Sequence, residues 1–341
     1  MKAAGAAVRF GTFNVLHGRR IGPDGRPEPE RPAGAPDTKT GTDLGSTPVP
    51  GSVPGASVST GADADGGADA GAGLREAVRS LDVDVLALQE LDRLQVRSGG
   101  ADQAAECAGA ARAADWRYAS AVHGSYLPDA GWTPSPTHRG LHTLGPDSAA
   151  SKSRDTGTSQ EVPSHGIALL TRLPVRRWHV RRLPPAPVGF PLRVPGRPGL
   201  TPVRDQPRTA LAAELIGPQG PFTVIATHLS FVPGWNCAQL LALHRWTADM
   251  PLPHVLLGDL NLIGAVPATV LNSASLRLPW HTRPAPGPRW RTLARAATYP
   301  SHRPLVRFDH ILGRGVTVSA EVRAPRAEIS DHRPLVAELR L

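Results

Sequence analysis

The chain has 341 residues, with 40% hydrophobic, 5% aromatic and 20% charged side chains, and its formal net charge is +9. This length fits one large domain or two ordinary ones, and the positive charge favours a polyanionic substrate or partner. Cys107 and Cys237 belong to no CxxC motif, which excludes a zinc knuckle or disulfide scaffold and favours a cytoplasmic location. We expect no membrane span and no signal peptide, because no apolar run is long enough for either.

Short apolar runs alternate with helical patterns along the chain. The predicted strands are 8–14, 83–90, 166–170, 209–215, 222–228, 254–257, 309–312 and 334–339. The predicted helices are 73–80, 102–114 and 235–247. Strands outnumber helices, and a connection as short as 216–221 favours antiparallel hairpins. The sequence therefore predicts a mixed sheet system with helices packed outside it.

Three intervals interrupt this pattern. The segment 19–73 is rich in Gly and Pro and has no aromatic residue, so it cannot bury enough apolar surface to offset its ordering entropy. We predict a disordered low-complexity insertion there. The polar tract 128–163 and the Pro-rich tract 183–207 are predicted surface loops. Because strand patterns occur on both sides of each interval, the chain is predicted to form a single catalytic domain over 1–341.

Six of the apolar runs carry a polar residue at one end. The strings are FGTFN, ALQE, ATHLS, GDLN, FDHIL and SDHRP. The polar residues that follow a run are Asn14, Glu90, His228, Asp259 and Asn261, and those that precede one are Asp309, Asp331 and His332. Strands that run in opposite directions would therefore deliver all of these side chains to one rim.

Several of these side chains offer oxygen atoms to a metal. Glu90 ends a buried run, where a carboxylate is costly unless it is paired or bound to a cation. Asn14 adds an amide oxygen without charge, and Asp331 is a further candidate carboxylate. Oxygen ligands favour Mg²⁺ or Mn²⁺, and the lack of a His/Cys cluster disfavours a zinc hydrolase. Each residue alone has a simpler explanation as a turn, cap or strand-end residue, so the prediction depends on the set.

Asp309 and His332 are the candidate catalytic pair. A carboxylate that accepts from one imidazole nitrogen fixes the tautomer, so the other nitrogen can activate water or stabilise phosphoryl oxygens. Asp259 is predicted to accept from the attacking water, while Asn261 donates to a phosphate oxygen. His228 is predicted to donate to a non-bridging oxygen or to the leaving group, and a buried core histidine is the alternative.

Basic residues give weaker signals. Arg208 precedes a predicted strand and is a candidate phosphate ligand, although a solvated arginine explains it equally well. The arginines of 172–182, which surround Trp178, could follow a nucleic-acid backbone, but a charged exposed face is the favoured interpretation. Heavy use of Arg, Ala, Pro and Gly is an alternative source of the net charge. His17 is predicted to line the cleft, and His310 is predicted to point to the opposite strand face from Asp309.

The ordered set of motifs resembles the endonuclease/exonuclease/phosphatase superfamily of deoxyribonuclease-like, metal-dependent phosphoesterases. The resemblance runs from Phe10 to the C-terminus without the three intervals, and the ordered set is far more specific than any single motif. It implies an α/β fold of the α+β type, a four-layer αββα sandwich of two mainly antiparallel sheets flanked by helices. One departure is Ile167, at a position where the family often has Asn.

The same resemblance implies roles for the motif residues. Asn14 and Glu90 would bind the metal, with Asp331 as an additional metal-site carboxylate. Asp259 would orient the nucleophile, His228 and Asn261 would contact phosphate, and Asp309–His332 would be the catalytic pair.

We therefore predict a metal-dependent phosphoesterase that hydrolyses a phosphodiester by water attack, with a phosphomonoester as the less favoured substrate. DNA, RNA, a phospholipid and a sugar phosphate all remain open as substrates, and we expect a monomer. The alternative is a catalytically silent member that binds nucleic acid or acts as a scaffold. The complete set of polar groups counts against that alternative.

Overall fold

The computed structural model describes residues 7–28, 71–127, 131–138, 140–147, 161–192, 199–273, 287–316 and 318–341. The strands are β1 (Val8–Asn14), β2 (Val85–Arg93), β3 (Asp115–Leu127), β4 (Gly131–Pro134), β5 (Thr143–Leu144), β6 (Ser164–Thr171), β7 (Val175–Leu183), β8 (Phe190–Leu192), β9 (Thr201–Val203), β10 (Arg208–Gly217), β11 (Gly220–His228), β12 (His254–Asp259), β13 (Trp290–Thr292), β14 (Asp309–Arg314), β15 (Val318–Arg323) and β16 (Leu335–Arg340). The α-helices are α1 (Ala72–Leu81), α2 (Gln103–Ala111), α3 (Trp235–Trp246) and α4 (Val266–Ser273).

The described strands form two large sheets and one small hairpin. The first sheet has the order β15-β16-β1-β2-β6-β3-β4, with β5 paired to β3, and the second has the order β13-β14-β12-β11-β10-β7. Pairing is antiparallel except between β1 and β2 and between β11 and β12. Strands β8 and β9 pair with each other.

The two large sheets pack face to face over an apolar core. Alternate residues of each strand face this core because side chains alternate along a strand. Phe10 of β1 meets Phe222 of β11 edge to face, with 6.1 Å between the ring centroids. Both rings are buried, so they join the first sheet to the second at the centre of the molecule.

The helices cover the outer faces of the sheets. Leu74, Val78 and Leu81 lie on one stripe of α1 and pack with α2 against the outer face of the first sheet. Helix α2 begins after Asp102, whose side chain accepts from the Ala105 amide at 3.1 Å. Leu240 and Leu243 of α3 and Leu271 of α4 cover the second sheet. The predicted four-layer αββα architecture is therefore confirmed.

All of the predicted strands and helices are present, but several elements lack a clear sequence signal. Strand β3 has no strict apolar alternation, and β7 carries arginines at its exposed positions. Strand β7 lies at the edge of its sheet, where charged side chains oppose pairing with another chain. The arginines of this segment therefore belong to an edge strand. Helix α4 is short and was not predicted.

The three interrupting intervals hold more structure than the sequence predicts. Interval 128–163 contains β4 and β5, and interval 183–207 contains the β8–β9 hairpin. Residues 29–70 of the predicted disordered insertion lie outside the described residues. Its first residues are attached to the fold, since Arg20 forms a β-bridge with Ile329. Within the described part of the chain, no helix is long and apolar enough to cross a membrane.

Candidate active site

The polar ends of the strands meet at one rim of the two sheets. In the second sheet, Asp259 is the register partner of both His228 and Asp309. Asn14, at the end of β1 in the first sheet, donates through Nδ2 to Asp259 Oδ2 at 3.1 Å and to Glu90 Oε1 at 3.1 Å. The Asn14 side chain thus links the carboxylates of the two sheets, and the rim predicted from the sequence forms.

A β-bulge aims Glu90 into this rim. The register of β2 against β6 shifts between Leu88 and Leu91, so β2 has one extra residue at this point. Glu90 has φ 60°, in the left-handed region. Burial raises the pKa of Glu90, but the nearby His228 and His165 and the hydrogen bond from Asn14 outweigh it and bring the pKa to about 2. Glu90 is therefore an ionised carboxylate at neutral pH.

A tight exit from β12 places Asp259 and Asn261 together. Gly258 has φ 149°, and a Cβ there would lie 2.0 Å from the Thr227 carbonyl oxygen, so this position requires glycine. Asn261 has φ 49°, which asparagine tolerates better than most residues. Its backbone amide donates to Asp259 Oδ1 at 2.9 Å, which fixes the carboxylate.

Asp309 and His332 form a buried hydrogen-bonded pair. His332 Nδ1 lies 2.8 Å from Asp309 Oδ2, and Thr298 Oγ1 donates to the same oxygen at 2.5 Å. Ser330 Oγ accepts from the His332 amide at 3.0 Å and donates to the Asn14 carbonyl oxygen at 2.6 Å. Asp309 therefore orients the imidazole and Ser330 holds its backbone, with Nε2 on the side of Asp259.

Asp259 and His332 perturb each other's protonation. His332 Nε2 lies 3.8 Å from Asp259 Oδ2, too far for a direct hydrogen bond. Burial raises the pKa of Asp259 to about 7, with Asp309 adding to the rise and His332 opposing it. Burial lowers the pKa of His332, but Asp309 and Asp259 outweigh it and raise the pKa to about 10. At neutral pH the site thus holds an imidazolium beside a carboxylate whose pKa is raised by burial.

His228 has the opposite protonation. Burial and the Arg208 charge hold the pKa of His228 well below its ordinary value, so the ring is neutral. Arg208 Nη1 lies 3.2 Å from His228 Nδ1, and because arginine has only donors, Nδ1 must accept. The ring proton is therefore on Nε2, which lies 3.3 Å from Asn261 Nδ2. Asn261 Nδ2 donates one hydrogen to the Leu229 carbonyl oxygen at 3.0 Å, so its second hydrogen and the His228 N–H are the two donors that an anionic oxygen could use.

Comparison with known proteins agrees with this geometry. The family model described as the Endonuclease/Exonuclease/phosphatase family matches residues 11–332. The chain belongs to this family. Membership makes the protein a phosphoesterase in general terms, in a family whose enzymes generally depend on divalent metals. The comparison with curated proteins found no match.

Several solved structures share the fold. An endonuclease/exonuclease/phosphatase from Beutenbergia cavernae DSM 12333 is 18% identical, with a TM-score of 0.50 over 98% of this chain and 72% of that chain. One from Bacteroides vulgatus is 14% identical, with a TM-score of 0.50 over 98% of this chain and 99% of that chain. A conserved protein of unknown function from Enterococcus faecalis V583 is 15% identical, with a TM-score of 0.50 over 97% of this chain and 99% of that chain.

Two groups of side chains in this family member could hold a metal. Glu90 lies within electrostatic reach of Asp331, whose pKa is raised by burial and by the Glu90 charge despite the opposing His332. Their oxygen atoms fit a hard divalent cation, which would relieve this repulsion. Ligand atoms of Asp259, Asp309 and His332 also lie within 4.8 Å of one another. In the second group, Asp309 and His332 already bond to each other at 2.8 Å.

Some of the predicted site residues have hydrogen-bond partners other than the metal or phosphate expected from the sequence. The Asn14 amide oxygen, predicted as a metal ligand, accepts from the Leu16 amide at 3.2 Å. Arg208, predicted to bind phosphate, lies against His228 and 3.6 Å from Asp205. His310 points away from Asp309, as predicted, and bonds through Nε2 to the Leu262 carbonyl oxygen. His17 is half-buried with its two ring nitrogens out of solvent, and burial together with Arg97 lowers its pKa to about 3.

Sequence reasoning missed several supporting residues. Thr298, Ser330 and Asp205 have short side chains of types that are common at turns, so nothing in their local sequence marks them. His165 carried a usable signal, because it directly precedes the apolar run of β6 in the same way that Asp309 precedes that of β14.

Proposed function

We propose that this family member is a divalent-metal-dependent phosphodiesterase that hydrolyses its substrate by direct attack of water. The observation that carries this proposal is the position of Asp259. Its Oδ2 atom accepts from Asn14 and lies 3.8 Å from His332 Nε2 and 3.7 Å from His228 Nε2, while its Oδ1 atom accepts from the Asn261 amide. A phosphate held by the His228 and Asn261 side chains has a base of suitable pKa beside it.

Each residue has one role in the proposed reaction. Asp259 accepts a proton from water as the water oxygen attacks phosphorus, and the bond from phosphorus to the leaving oxygen breaks. His228 and Asn261 donate to a non-bridging oxygen, where negative charge develops. His332 holds the attacking water and places positive charge beside the phosphoryl group. Mg²⁺ or Mn²⁺ on Glu90 and Asp331, with Asn14 beside them, would supply charge neutralisation for the phosphoryl oxygens.

Hydrolysis of bis-p-nitrophenyl phosphate tests the proposal. Wild-type protein is expected to release nitrophenolate with Mg²⁺ or Mn²⁺ and to stop when a chelator is added. Asp259→Asn and His332→Gln should each lower kcat by about 10²- to 10⁴-fold, because each removes a proton-transfer or charged group. Asp249→Asn, at an exposed position in the turn that follows α3, is the matched control and should retain full activity.

The result also separates the alternatives. The proposal is overturned if the wild-type protein is no more active than the two variants with any divalent metal. That result would favour a catalytically silent protein that binds nucleic acid or acts as a scaffold. If activity is present, plasmid DNA, RNA, sphingomyelin and inositol phosphates offered with Mg²⁺ then identify the substrate class.

A further inference from the structure

A second aspartate–histidine pair lies beside Glu90 and takes no part in the reaction described above. Asp92 of β2 and His165 of β6 are register partners. They lie just beyond the bulge that carries Glu90. His165 Nδ1 lies 2.7 Å from Asp92 Oδ1. The carboxylate fixes which nitrogen bears the proton, so Nε2 is the nitrogen left for another partner.

The direction of His165 follows from the alternation of β6. Ile167 and Leu169 face the core between the sheets, whereas Ala168 and Leu170 face the helices. His165 has the same parity as Ile167, so it continues the inner row at the point where the core opens into the cleft. On β11, His228 in the same way continues the inner row that contains Ala226. Position 167, where the family often has Asn, is thus filled by a core isoleucine, and the polar end of this row is His165.

Asp92 is built to hold this imidazole. Its side chain is fully buried and accepts from Arg97 Nε at 2.7 Å, Arg97 Nη2 at 2.8 Å and Ser98 Oγ at 3.1 Å. A buried carboxylate with a bidentate arginine is rigid, because loss of one partner would leave an uncompensated charge. The Arg97 guanidinium is in turn stacked over the rings of Tyr126 and Trp132, 4.5 Å and 5.2 Å from their centroids.

The strand register places His165 beside the cleft. It pairs with Asp92, which lies two residues after Glu90 on β2, just beyond the bulge that turns Glu90 toward the cleft. The imidazole is 14% exposed, and its ring centroid lies 5.4 Å from that of Trp132. A substrate group beside Glu90 would therefore meet His165 on one side, with the Trp132 ring as the adjoining wall.

We propose that His165 is a further substrate-binding residue of this site, with Nε2 bonded to a phosphate oxygen on the Glu90 side of the cleft. Asp92 and Arg97 are positioning residues, since they act through the imidazole. The inference rests on the proposed function, because it adds a contact to the same phosphate. An imidazolium has an N–H at both ring nitrogens, so it can donate to Asp92 through Nδ1 and to a phosphate oxygen through Nε2.

The test compares His165→Gln with wild type in two measurements. Binding of inorganic phosphate in the presence of Mg²⁺, followed by calorimetry, is expected to weaken about ten- to hundredfold, as for loss of a charge-assisted hydrogen bond. With bis-p-nitrophenyl phosphate, KM should rise by a similar factor. Asp92→Asn should weaken phosphate binding in the same direction through loss of the imidazole's orientation.

The matched control is His179→Gln. His179 is also a strand histidine paired with a carboxylate, Glu214, at 2.8 Å, but it lies on edge strand β7. The His179→Gln variant should bind phosphate with the same affinity as the wild-type protein. Unchanged phosphate affinity in folded His165→Gln overturns the inference, even if hydrolysis itself is confirmed. Absence of hydrolysis by wild type overturns the proposed function, while phosphate binding still decides the role of His165.

A measurement on the wild-type protein covers the case in which His165→Gln does not fold. Histidine side-chain ¹⁵N resonances can be followed by NMR during a phosphate titration. We expect the Nε2 signal of His165 to shift and that of His179 to stay constant. A constant His165 signal at saturating phosphate overturns the inference.

Discussion

At the scale of single residues, the neighbours of each histidine decide its chemistry. His332 faces Asp309 and Asp259, and its pKa rises. His228 is equally buried but faces Arg208, and its pKa falls. One residue type therefore supplies a cation at one point of the cleft and a neutral N–H donor at another. This division matches what phosphate hydrolysis needs, because charge develops at some oxygen atoms and a proton leaves another.

The protonation of His332 predicts how folding stability depends on pH. Its pKa is about 10 in the folded protein against 6.5 when unfolded, so the stabilisation is fully present below pH 6.5 and is lost as pH rises through about 10. With chelator present, we expect the free energy of unfolding to fall between about pH 7 and pH 9, with a limiting slope of about 1.4 kcal/mol per pH unit. Urea unfolding at a series of pH values measures this slope.

His332→Gln provides the comparison for this measurement. The variant lacks the titrating group, so its free energy of unfolding should vary less over the same pH range. An identical slope in the two proteins would contradict the raised pKa of His332.

At the scale of elements, the bulge in β2 decides where carboxylates point. The residues before it, Ala87 and Leu88, alternate between the inner and outer faces. The extra residue turns Glu90 into the cleft and brings Asp92 to the inner face beside it. Without the bulge, every later residue of β2 would change face. The metal-side carboxylate and the partner of His165 therefore depend on one local irregularity.

The contact between β1 and β11 predicts a stability effect. Phe222 is buried against Phe10 at the junction of the sheets, so Phe222→Ala leaves a cavity that the surrounding strands cannot fill. We expect a loss of about 3–5 kcal/mol in the free energy of unfolding, measured by urea denaturation. Ile216→Ala, at an exposed position in the same hairpin, should change stability by less than about 0.5 kcal/mol. Equal losses for the two variants would show that this junction is not a packed core.

At the scale of the whole molecule, the site exists only where the two sheets meet. Glu90 and Asn14 belong to the first sheet, whereas His228, Asp259 and Asp309 belong to the second. The hydrogen bond from Asn14 to Asp259 crosses between them. The site is therefore sensitive to the packing of the whole sandwich, and a substrate phosphate would contact both halves.

The net charge of +9 predicts a salt-dependent interaction with polyanions. Arg181 and Arg182 lie at the end of β7 beside Arg208, near the cleft. If nucleic acid is the substrate, duplex DNA binding should weaken steeply as the salt concentration rises. The Arg181→Gln, Arg182→Gln double variant should reduce the slope of log binding constant against log salt concentration by about two. Arg79→Gln on α1 is the control, and fluorescence anisotropy measures the binding. A DNA affinity that does not change with salt concentration would exclude nucleic acid as the partner.

The sequence alone determined the apolar alternation, the polar strand ends and the family resemblance. These features are local, because a strand's period and its final residue can be read within a few positions. They were enough to predict the four layers and to bring Asp309 together with His332. The same local rule marks His165, which stands at the start of the β6 run.

Only the tertiary structure decided which groups face each other. The engagement of Arg208 with His228, the support of His332 by Ser330 and the pairing of Asp92 with His165 all depend on strand order and on the bulge register. These are contacts between residues far apart in the chain, so no short pattern encodes them. The physical reason is that protonation depends on neighbours within a few ångströms, and folding alone sets those neighbours.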